Sequence, residues 1–219
     1  MATTMSSISE RTDKALRKSE ALLEGHFLLS SGRHAGRYVQ CARLLQYTDL
    51  AAQVCTDLAD KVRQQLGDDK PFDVVIGPAM GAVTFSYELA RAFGVRGLFA
   101  ERAAEGGFDL RRGFEIKPDE RVLVAEDVVT TGKSAGEVVT MLREMGVSDI
   151  SAASIVNRSG IANPFGGDVN YYSCIEVDVP SYTADACPLC ESGEHGDADA
   201  CLRHPRRLGR GAGADRAGA

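Results

Sequence analysis

Apolar residues recur along this chain with two different periods, one typical of amphipathic helices and one typical of short buried strands. The clearest helix is predicted over residues 49–66, because every fourth residue on one face is apolar. These residues are Leu50, Val54, Leu58, Val62 and Leu66. The clearest buried strand is predicted over residues 72–76, which are apolar except for Asp73 and end at Gly77-Pro78.

The other predicted elements continue this alternation of strands and helices. Further helices are predicted over residues 9–24, 81–93 and 135–146. Further strands are predicted over residues 27–30, 38–42, 97–100, 122–125 and 151–156. The order predicts an α/β fold with a doubly wound, mostly parallel sheet, which binds its ligands at the carboxyl ends of the strands.

Composition excludes several classes of protein. The 219 residues suit one α/β domain with small additions, and the hydrophobic content of 44% and charged content of 26% are ordinary for a globular chain. The net charge of −6 argues against a nucleic-acid partner. No apolar run approaches membrane-spanning length, and residues 1–10 lack the apolar core of a signal peptide. We therefore expect a cytoplasmic protein without a membrane partner.

The densest chemical signal lies in residues 122–134. An apolar strand leads to paired acids, Glu126 and Asp127, and then to a small loop rich in hydroxyl groups, just before the helix predicted over residues 135–146. The loop consists of Thr130, Thr131, Gly132, Lys133 and Ser134. Its backbone N–H groups, its hydroxyls and the helix dipole suit a phosphate, and two carboxylates suit the vicinal hydroxyls of a sugar. The pattern predicts a ribose 5-phosphate site, although acid pairs and Ser/Thr/Gly turns also occur simply as helix caps.

The whole of residues 122–134 resembles the signature of the type I phosphoribosyltransferases, which bind 5-phosphoribosyl-1-pyrophosphate (PRPP). The resemblance implies that Glu126 and Asp127 hold the ribose 2- and 3-hydroxyls and that the loop wraps the 5-phosphate. It assigns catalysis to Glu126, Asp127 and Arg102. The implied PRPP-binding residues are Arg102, Glu126, Asp127, Val128, Val129, Thr130, Thr131, Gly132, Lys133 and Ser134.

Other segments resemble the orotate phosphoribosyltransferase family more narrowly. They are residues 24–34, 37–42, 77–79 and 156–160, within a resemblance that covers about residues 23–190. It implies that Thr130 and Arg158 contact orotate, with the guanidinium fork of Arg158 on the carboxylate. The alternative for Arg158 is a surface arginine at a strand end. The implied pyrophosphate loop is Gly77, Pro78, Ala79, Met80 and Gly81.

The same resemblance implies Mg²⁺ held mainly by the substrate, and a homodimer whose lid acts across the interface. It divides the chain into an N-terminal helix with hood strands (1–47), a PRPP-binding core (48–158), returning strands (159–186) and a Cys-containing flexible tail (187–219). The hood is a small unit formed by both ends of the chain. The implied function is transfer of phosphoribosyl to orotate, in pyrimidine biosynthesis.

The segment of residues 101–120 has no clear period and is rich in glycine, which is typical of a lid or a hairpin. A reaction through an oxocarbenium-like sugar needs a mobile cover that excludes water and carries cations. Arg102, Arg111 and Arg112 supply cations, and Gly106-Gly107 supplies hinges. A solvated hairpin with exposed arginines is the alternative.

The chain departs from the better-known enterobacterial members of that family at several cations. Ser30 and the Met80-Gly81 turn stand where that pattern has lysines, and Glu101-Arg102 stands where it has Arg-Lys. These departures indicate either a subfamily with redistributed charges or a changed base specificity, and we favour the subfamily because Arg37, Arg111 and Arg112 could compensate. Two other functions stay open. One is a phosphoribosyltransferase for another base, and the other is a regulator that senses PRPP without catalysis.

Six cysteines in a cytoplasmic chain predict thiols or metal ligands rather than disulfides. The set Cys187, Cys190, Cys201 and His204 has the paired spacing of a zinc site, but we favour free thiols in a flexible tail. Cys41, Cys55 and Cys174 are predicted to be core residues.

Overall fold

The computed structural model describes residues 7–29 and 31–192. They fall into two compact units, one containing residues up to Ala21 together with Gln40–Asp178, the other containing Leu22–Val39 and the segment from Val179. In the larger unit the helices are α1 (Ile8–Lys18), α2 (Ala42–Leu45), α3 (Thr48–Leu66), α4 (Val83–Phe93) and α5 (Lys133–Glu144). No helix in the described part of the chain is both long and apolar enough to cross a membrane.

A six-stranded sheet forms the centre of the larger unit. Its strands, in chain order, are β3 (Val74–Pro78), β4 (Arg96–Arg102), β5 (Phe108–Asp109), β6 (Val122–Val129), β7 (Ile150–Asn157) and β8 (Asn170–Glu176). The spatial order is β5-β4-β3-β6-β7-β8, and every neighbouring pair is parallel except β4 with β5. The mostly parallel α/β architecture predicted from the alternating pattern is therefore confirmed.

The smaller unit contains an antiparallel sheet formed from both ends of the chain. Strands β1 (Leu22–Leu28) and β2 (His34–Val39) form a hairpin, and β9 (Ser181–Tyr182) pairs with the other edge of β2. A 3₁₀ turn (Ala184–Ala186) and the short helix α6 (Pro188–Glu191) follow β9.

Three predicted boundaries near the N-terminus are wrong. The helix predicted to reach residue 24 ends at Lys18, because the Ser19 hydroxyl donates to the carbonyls of Ala15 and Leu16, and Glu20 then turns with φ 53°. The strand predicted over residues 27–30 consequently begins at Leu22, and the one predicted over 38–42 ends at Val39, before α2. In both places local hydrogen bonding overrides the apolar period.

Strand β3 has a glycine at residue 77 because there is no room for a side chain at this position. A Cβ on Gly77 would lie 2.9 Å from the carbonyl oxygen of Ala82, 2.9 Å from the Cβ of Ser86 and 3.0 Å from the carbonyl oxygen of Ala125. Two of these atoms are backbone atoms of packed elements, which can yield only by moving β6 or α4. The close packing of β3 therefore depends on glycine.

Gly77→Ala is expected to lower the free energy of unfolding by about 1–3 kcal/mol, the usual penalty of overpacking. Denaturant unfolding of the variant beside Gly136→Ala tests this. Gly136 lies inside α5 with no atom within 4 Å of an added Cβ, so its replacement should stabilise the protein slightly. Equal stability of the two variants would contradict the steric argument.

Candidate active site

The acidic pair lies inside a strand rather than after it. Strand β6 was predicted to end at residue 125, but it continues to Val129, where it still pairs with Asn157 of β7. Glu126 and Asp127 are half-buried near the carboxyl end of the sheet, where parallel strands present their ligand-binding groups. Val128 and Val129 carry the backbone from the acids to the loop. The extra pairing fixes both carboxylates on a rigid element instead of a loop.

The hydroxyl-rich loop leads directly into helix α5. Gly132 is the residue before the helix, with φ 74°, and its carbonyl accepts from the Gly136 N–H at 2.8 Å. An added Cβ there would also lie 3.1 Å from the ring of Phe165. Glycine is therefore favoured both by the positive φ and by the close approach of this ring. Thr130, Thr131 and Lys133 are exposed around this helix N-terminus. The positive dipole end and the backbone amides of this turn suit an anion of the size of one phosphate.

Burial makes both acids poor at holding a negative charge in the free protein. Desolvation raises the pKa of Glu126 to about 7, against a weaker opposing effect of the Ala135 N–H, which donates to its Oε2 at 3.3 Å. Desolvation likewise raises the pKa of Asp127 to about 6. Carboxylates that are costly to ionise alone are stabilised when a hydroxyl-bearing or cationic ligand arrives, which is typical of functional sites.

Arg102 reaches from the end of β4 to the first turn of α5. Its guanidinium pairs with Glu137, lies 3.5 Å from the Ser134 hydroxyl and covers the ring of Phe108 at 4.2 Å from the ring centroid. The Phe108 ring stacks under the charge and orients it. The structure therefore places one of the three predicted cations beside the phosphate-sized loop.

The loop after β3 reaches the acidic pair. A Cβ on Gly81 would lie 3.6 Å from Oδ1 of Asp127, so the backbone of Gly81 is next to that carboxylate. The Ala79 N–H donates to the Ala100 carbonyl at 2.8 Å, the Ala79–Met80 peptide is cis, and the Met80 side chain is 85% exposed. Gly77 and Pro78 belong to β3 itself. This loop offers backbone groups and no lysine to an anionic ligand.

Arg158 follows β7 and adjoins the phosphate loop. Its N–H donates to the Val129 carbonyl at 2.8 Å, and its side chain is half-buried. Asn157 shapes the turn that carries it, because its side-chain Oδ1 accepts from the N–H and the hydroxyl of Ser159, and its side-chain amide donates to the Ile161 carbonyl. Sequence reasoning did not assign a role to Asn157, although an Asx turn before Arg-Ser-Gly was a readable signal.

The two other arginines of residues 101–120 pair with acids of their own segment. Strands β4 and β5 form a short hairpin in this segment. Arg111 pairs with Asp109 at 3.1 Å, and Arg112 donates to Glu101 at 2.6 Å. The guanidinium groups of both arginines are exposed. In this conformation the structure brings Arg102 to the phosphate loop and keeps Arg111 and Arg112 on the hairpin.

The remaining sequence-predicted residues lie elsewhere. Ser30, Cys201 and His204 fall outside the described residues. Cys187 and Cys190 belong to the smaller unit, whereas Cys41, Cys55 and Cys174 are buried in the larger one, which confirms them as core residues.

The fold and this arrangement match known proteins. Residues 44–185 match the family model of the phosphoribosyl transferase domain. The chain is 47% identical over 175 residues to orotate phosphoribosyltransferase of Caldicellulosiruptor saccharolyticus, covering 80% of this chain and 87% of that protein.

Two solved structures resemble the fold. The crystal structure of orotate phosphoribosyltransferase from Aeropyrum pernix has a TM-score of 0.60 at 28% identity, covering 75% of this chain and 92% of that one. That of the Mycobacterium tuberculosis enzyme in complex with inorganic phosphate has a TM-score of 0.58 at 26% identity, covering 76% and 95%. The family match over most of the chain, joined to an acidic strand end and a phosphate-sized loop, leads to one conclusion: this chain belongs to the phosphoribosyltransferases, among the orotate phosphoribosyltransferases.

Proposed function

We propose that this protein transfers the phosphoribosyl group of PRPP to orotate, giving orotidine 5-phosphate and pyrophosphate for pyrimidine nucleotide biosynthesis. The observation that carries the proposal is the juxtaposition of Glu126 and Asp127 with the anion site at the N-terminus of α5. Because Glu126 accepts a hydrogen bond from the first turn of α5, the acidic pair and the loop are close enough to bind the diol and the phosphate of one ribose 5-phosphate. Family membership supports orotate as the second substrate, since these relatives are named orotate phosphoribosyltransferases.

Each part of PRPP has a matching group in the larger unit. Residues 130–134 hold the 5-phosphate through backbone amides, hydroxyls and the helix dipole. Glu126 and Asp127 accept hydrogen bonds from the ribose hydroxyls. Backbone groups of residues 77–81 face the pyrophosphate, and Arg102 adds positive charge. The crystal structure of the M. tuberculosis orotate phosphoribosyltransferase was solved in complex with inorganic phosphate, which supports an anion site in this family.

Orotate is recognised by its carboxylate and its ring edge. Arg158 offers a planar fork of donors that fits a carboxylate in two parallel hydrogen bonds, and Thr130 offers a hydroxyl nearby. The backbone N–H of Arg158 donates to the Val129 carbonyl, so the residue follows β7 directly beside the end of β6 that leads into residues 130–134.

The chemistry requires charge stabilisation more than proton transfer. Orotate is an anion at neutral pH through its carboxylate, and its ring nitrogen attacks C1 of the ribose as the bond from C1 to the pyrophosphate oxygen breaks. The proton on that ring nitrogen passes to the departing pyrophosphate or to water. Pyrophosphate leaves with the bonding electrons, so positive charge develops on the sugar. Ionised Glu126 and Asp127 lie where they stabilise that charge, and the fixed amides of residues 130–134 hold the sugar in line. Neither acid needs to act as a general base.

The donor set fits Mg²⁺ as the metal cofactor. Glu126 and Asp127 offer hard carboxylate oxygens, and a small dication that keeps most of its waters needs only one or two of them beside the substrate's own oxygens. When bound with PRPP, such an ion would supply charge neutralisation for the pyrophosphate.

We also propose that the active unit is a cytoplasmic homodimer. Arg102 acts at the site of its own chain, and the rest of the segment of residues 101–120, with Arg111 and Arg112, covers the site of the partner. Mixing inactive Asp127→Asn chains with Arg111→Ala/Arg112→Ala chains tests this. Recovery of part of the wild-type activity supports sharing across the interface. Mixed dimers that stay inactive would exclude a lid acting in trans.

The activity should depend on the ionisation of the acidic pair. Because burial raises the pKa values of Glu126 to about 7 and Asp127 to about 6, both are protonated in acid and cannot stabilise the sugar cation. We expect kcat/KM for PRPP to rise with pH through this range and to level off above it. Steady-state rates against pH, with carboxyl ¹³C NMR titration of the free protein, measure this.

Glu126→Gln is the control for the pH profile, because PRPP titrates in the same range. Its profile should lose the upper inflection and keep the substrate's own. A wild-type profile that is flat through this range, or one identical to that of the variant, would contradict the assignment.

A base panel tests orotate against the alternative of a salvage enzyme. Pyrophosphate release is measured with PRPP, Mg²⁺ and either orotate, uracil, adenine or hypoxanthine. We expect release with orotate and at most a small fraction of that rate with bases that lack a carboxylate. Release with another base and not with orotate would transfer the assignment to that base.

A further inference from the structure

Four metal-ligating side chains converge in the smaller unit. His26 and His34 come from the β1–β2 hairpin, and Cys187 and Cys190 come from the segment after β9. One ligand atom from each residue lies within 4.8 Å of the others. Both histidines and Cys187 are buried, and Cys190 is half-buried. None of the four residues is among those assigned to PRPP or orotate.

Local structure explains how both pairs reach one point. The β1–β2 register shifts between Glu24 and Phe27, so His26 lies in a bulge, and bulges redirect side chains. The Cys187 carbonyl accepts from the N–H of Cys190 at 3.0 Å, which folds the Cys-x-x-Cys segment into a tight turn. Between the cysteines, Leu189 packs over Gly36 of β2, where an added Cβ would lie 3.6 Å from its Cδ1.

Four of the six distances between the ligand atoms match the edges of a zinc tetrahedron, and all six lie within 4.8 Å. Zn–N bonds of about 2.05 Å and Zn–S bonds of about 2.3 Å give ligand separations of about 3.3 Å for N···N, about 3.6 Å for N···S and about 3.8 Å for S···S. His26 Nε2 and His34 Nδ1 are 3.0 Å apart. Cys187 Sγ lies 3.4 Å from His26 Nε2, and Cys190 Sγ lies 3.8 Å from His26 Nε2 and 3.3 Å from His34 Nδ1. Each of these separations is within a few tenths of an ångström of the tetrahedral value.

Charge and ligand type favour zinc over other occupants. Two thiolates and two neutral imidazoles around a dication give zero net charge, which suits a buried position. Thiolate and imidazole are soft or borderline ligands that select Zn²⁺ over Mg²⁺. A set of four protein ligands leaves no open position, as in structural rather than catalytic zinc sites.

The geometry points to a structural zinc site formed by His26, His34, Cys187 and Cys190. The ion fastens the N-terminal hairpin to a segment about 160 residues further along the chain, as the 161-residue separation of His26 and Cys187 shows. The set differs from the one predicted from cysteine spacing, which combined Cys187 and Cys190 with Cys201 and His204. The inference does not depend on the transferase activity.

Zinc content of purified full-length variants tests the ligand set. Wild-type protein, dialysed against metal-free buffer, is expected to hold about one zinc ion per chain. Cys190→Ser and His34→Gln should each lower that content to about a tenth or less. Cys55→Ala, which removes a buried thiol of α3, and the double variant Cys201→Ser/His204→Gln should retain it. Loss of zinc in the double variant, or its retention in both cluster variants, would overturn the proposal.

A second measurement on wild-type protein keeps the test independent of variant folding. Metal-free protein reconstituted with Co²⁺ should show the visible bands of tetrahedral cobalt and a thiolate charge-transfer band. X-ray absorption of the zinc form should give two sulfur and two nitrogen neighbours at about 2.3 and 2.0 Å. An oxygen-only or sulfur-only shell, failure to bind either metal, or a Cys187–Cys190 disulfide in protein purified under reducing conditions would exclude this site.

Discussion

Asp127→Asn is expected to lower kcat by about 10²–10³-fold with a smaller change in the KM for PRPP, because the lost charge matters most when the sugar becomes cationic. The amide keeps the size and part of the hydrogen bonding of the carboxylate, so ground-state binding of the ribose hydroxyls suffers less. Steady-state kinetics with varied PRPP measure both constants. A variant with wild-type kcat would remove Asp127 from the catalytic account.

Stability distinguishes this effect from misfolding. Burial raises the pKa of Asp127, so it contributes stability only when protonated, and that contribution is lost as pH rises through about 6. At pH above about 7 the neutral asparagine should therefore leave the melting temperature unchanged or higher. A large drop in melting temperature would assign the lost activity to unfolding.

Asp73→Asn is the matched control with the opposite signs. Hydrogen bonds from Arg121 lower the pKa of Asp73, so its stability contribution is present above its ordinary pKa and lost only as pH falls. Asp73 lies immediately before β3, at the opposite end of that strand from residues 77–81. Its replacement should lower the melting temperature at neutral pH and keep wild-type kcat.

Arg158→Lys is expected to lower kcat/KM for orotate by about 10²-fold while changing the KM for PRPP little, because an ammonium cannot reproduce a two-point contact with a carboxylate. Arg158→Gln, which also removes the charge, should lose more. Initial rates with orotate varied at saturating PRPP measure the effect. An unchanged rate would favour the alternative of a surface arginine at the strand end.

Arg96→Lys is the control for the arginine exchange. Arg96 opens β4, and its guanidinium donates to the Glu115 carbonyl and to the Glu120 carboxylate. These contacts lie at the other end of that strand from Arg102, so the exchange should leave both kinetic constants within about twofold. A tenfold loss there would show that any arginine-to-lysine exchange disturbs the protein.

The central site was largely predictable because its residues are contiguous. Residues 122–134 carry the strand, the acids, the loop and the helix start in one segment, so their spacing encodes their geometry. The sequence missed that β6 continues through Glu126 and Asp127, because charged residues interrupt the apolar run while the pairing with β7 overrides their low strand preference. Asn157 was missed because its hydrogen bonds stabilise the turn that carries Arg158, whereas the prediction considered only groups that contact a ligand.

The cluster in the smaller unit was beyond sequence reasoning for a different reason. His26 and His34 are far in sequence from Cys187 and Cys190, and only the pairing of β2 with β9 brings the two segments together. The spacing rule for cysteines and histidines looks for ligands nearby in sequence, and so it selected Cys201 and His204.

Direct detection of orotidine 5-phosphate tests the central claim most sharply. Purified protein is mixed with PRPP, Mg²⁺ and orotate, and the nucleotide and pyrophosphate are separated and quantified over time beside Asp127→Asn. We predict equal amounts of the two products, formed catalytically and suppressed in the variant. PRPP that binds but is not consumed with orotate or any other base would contradict the account and favour a regulator that senses PRPP.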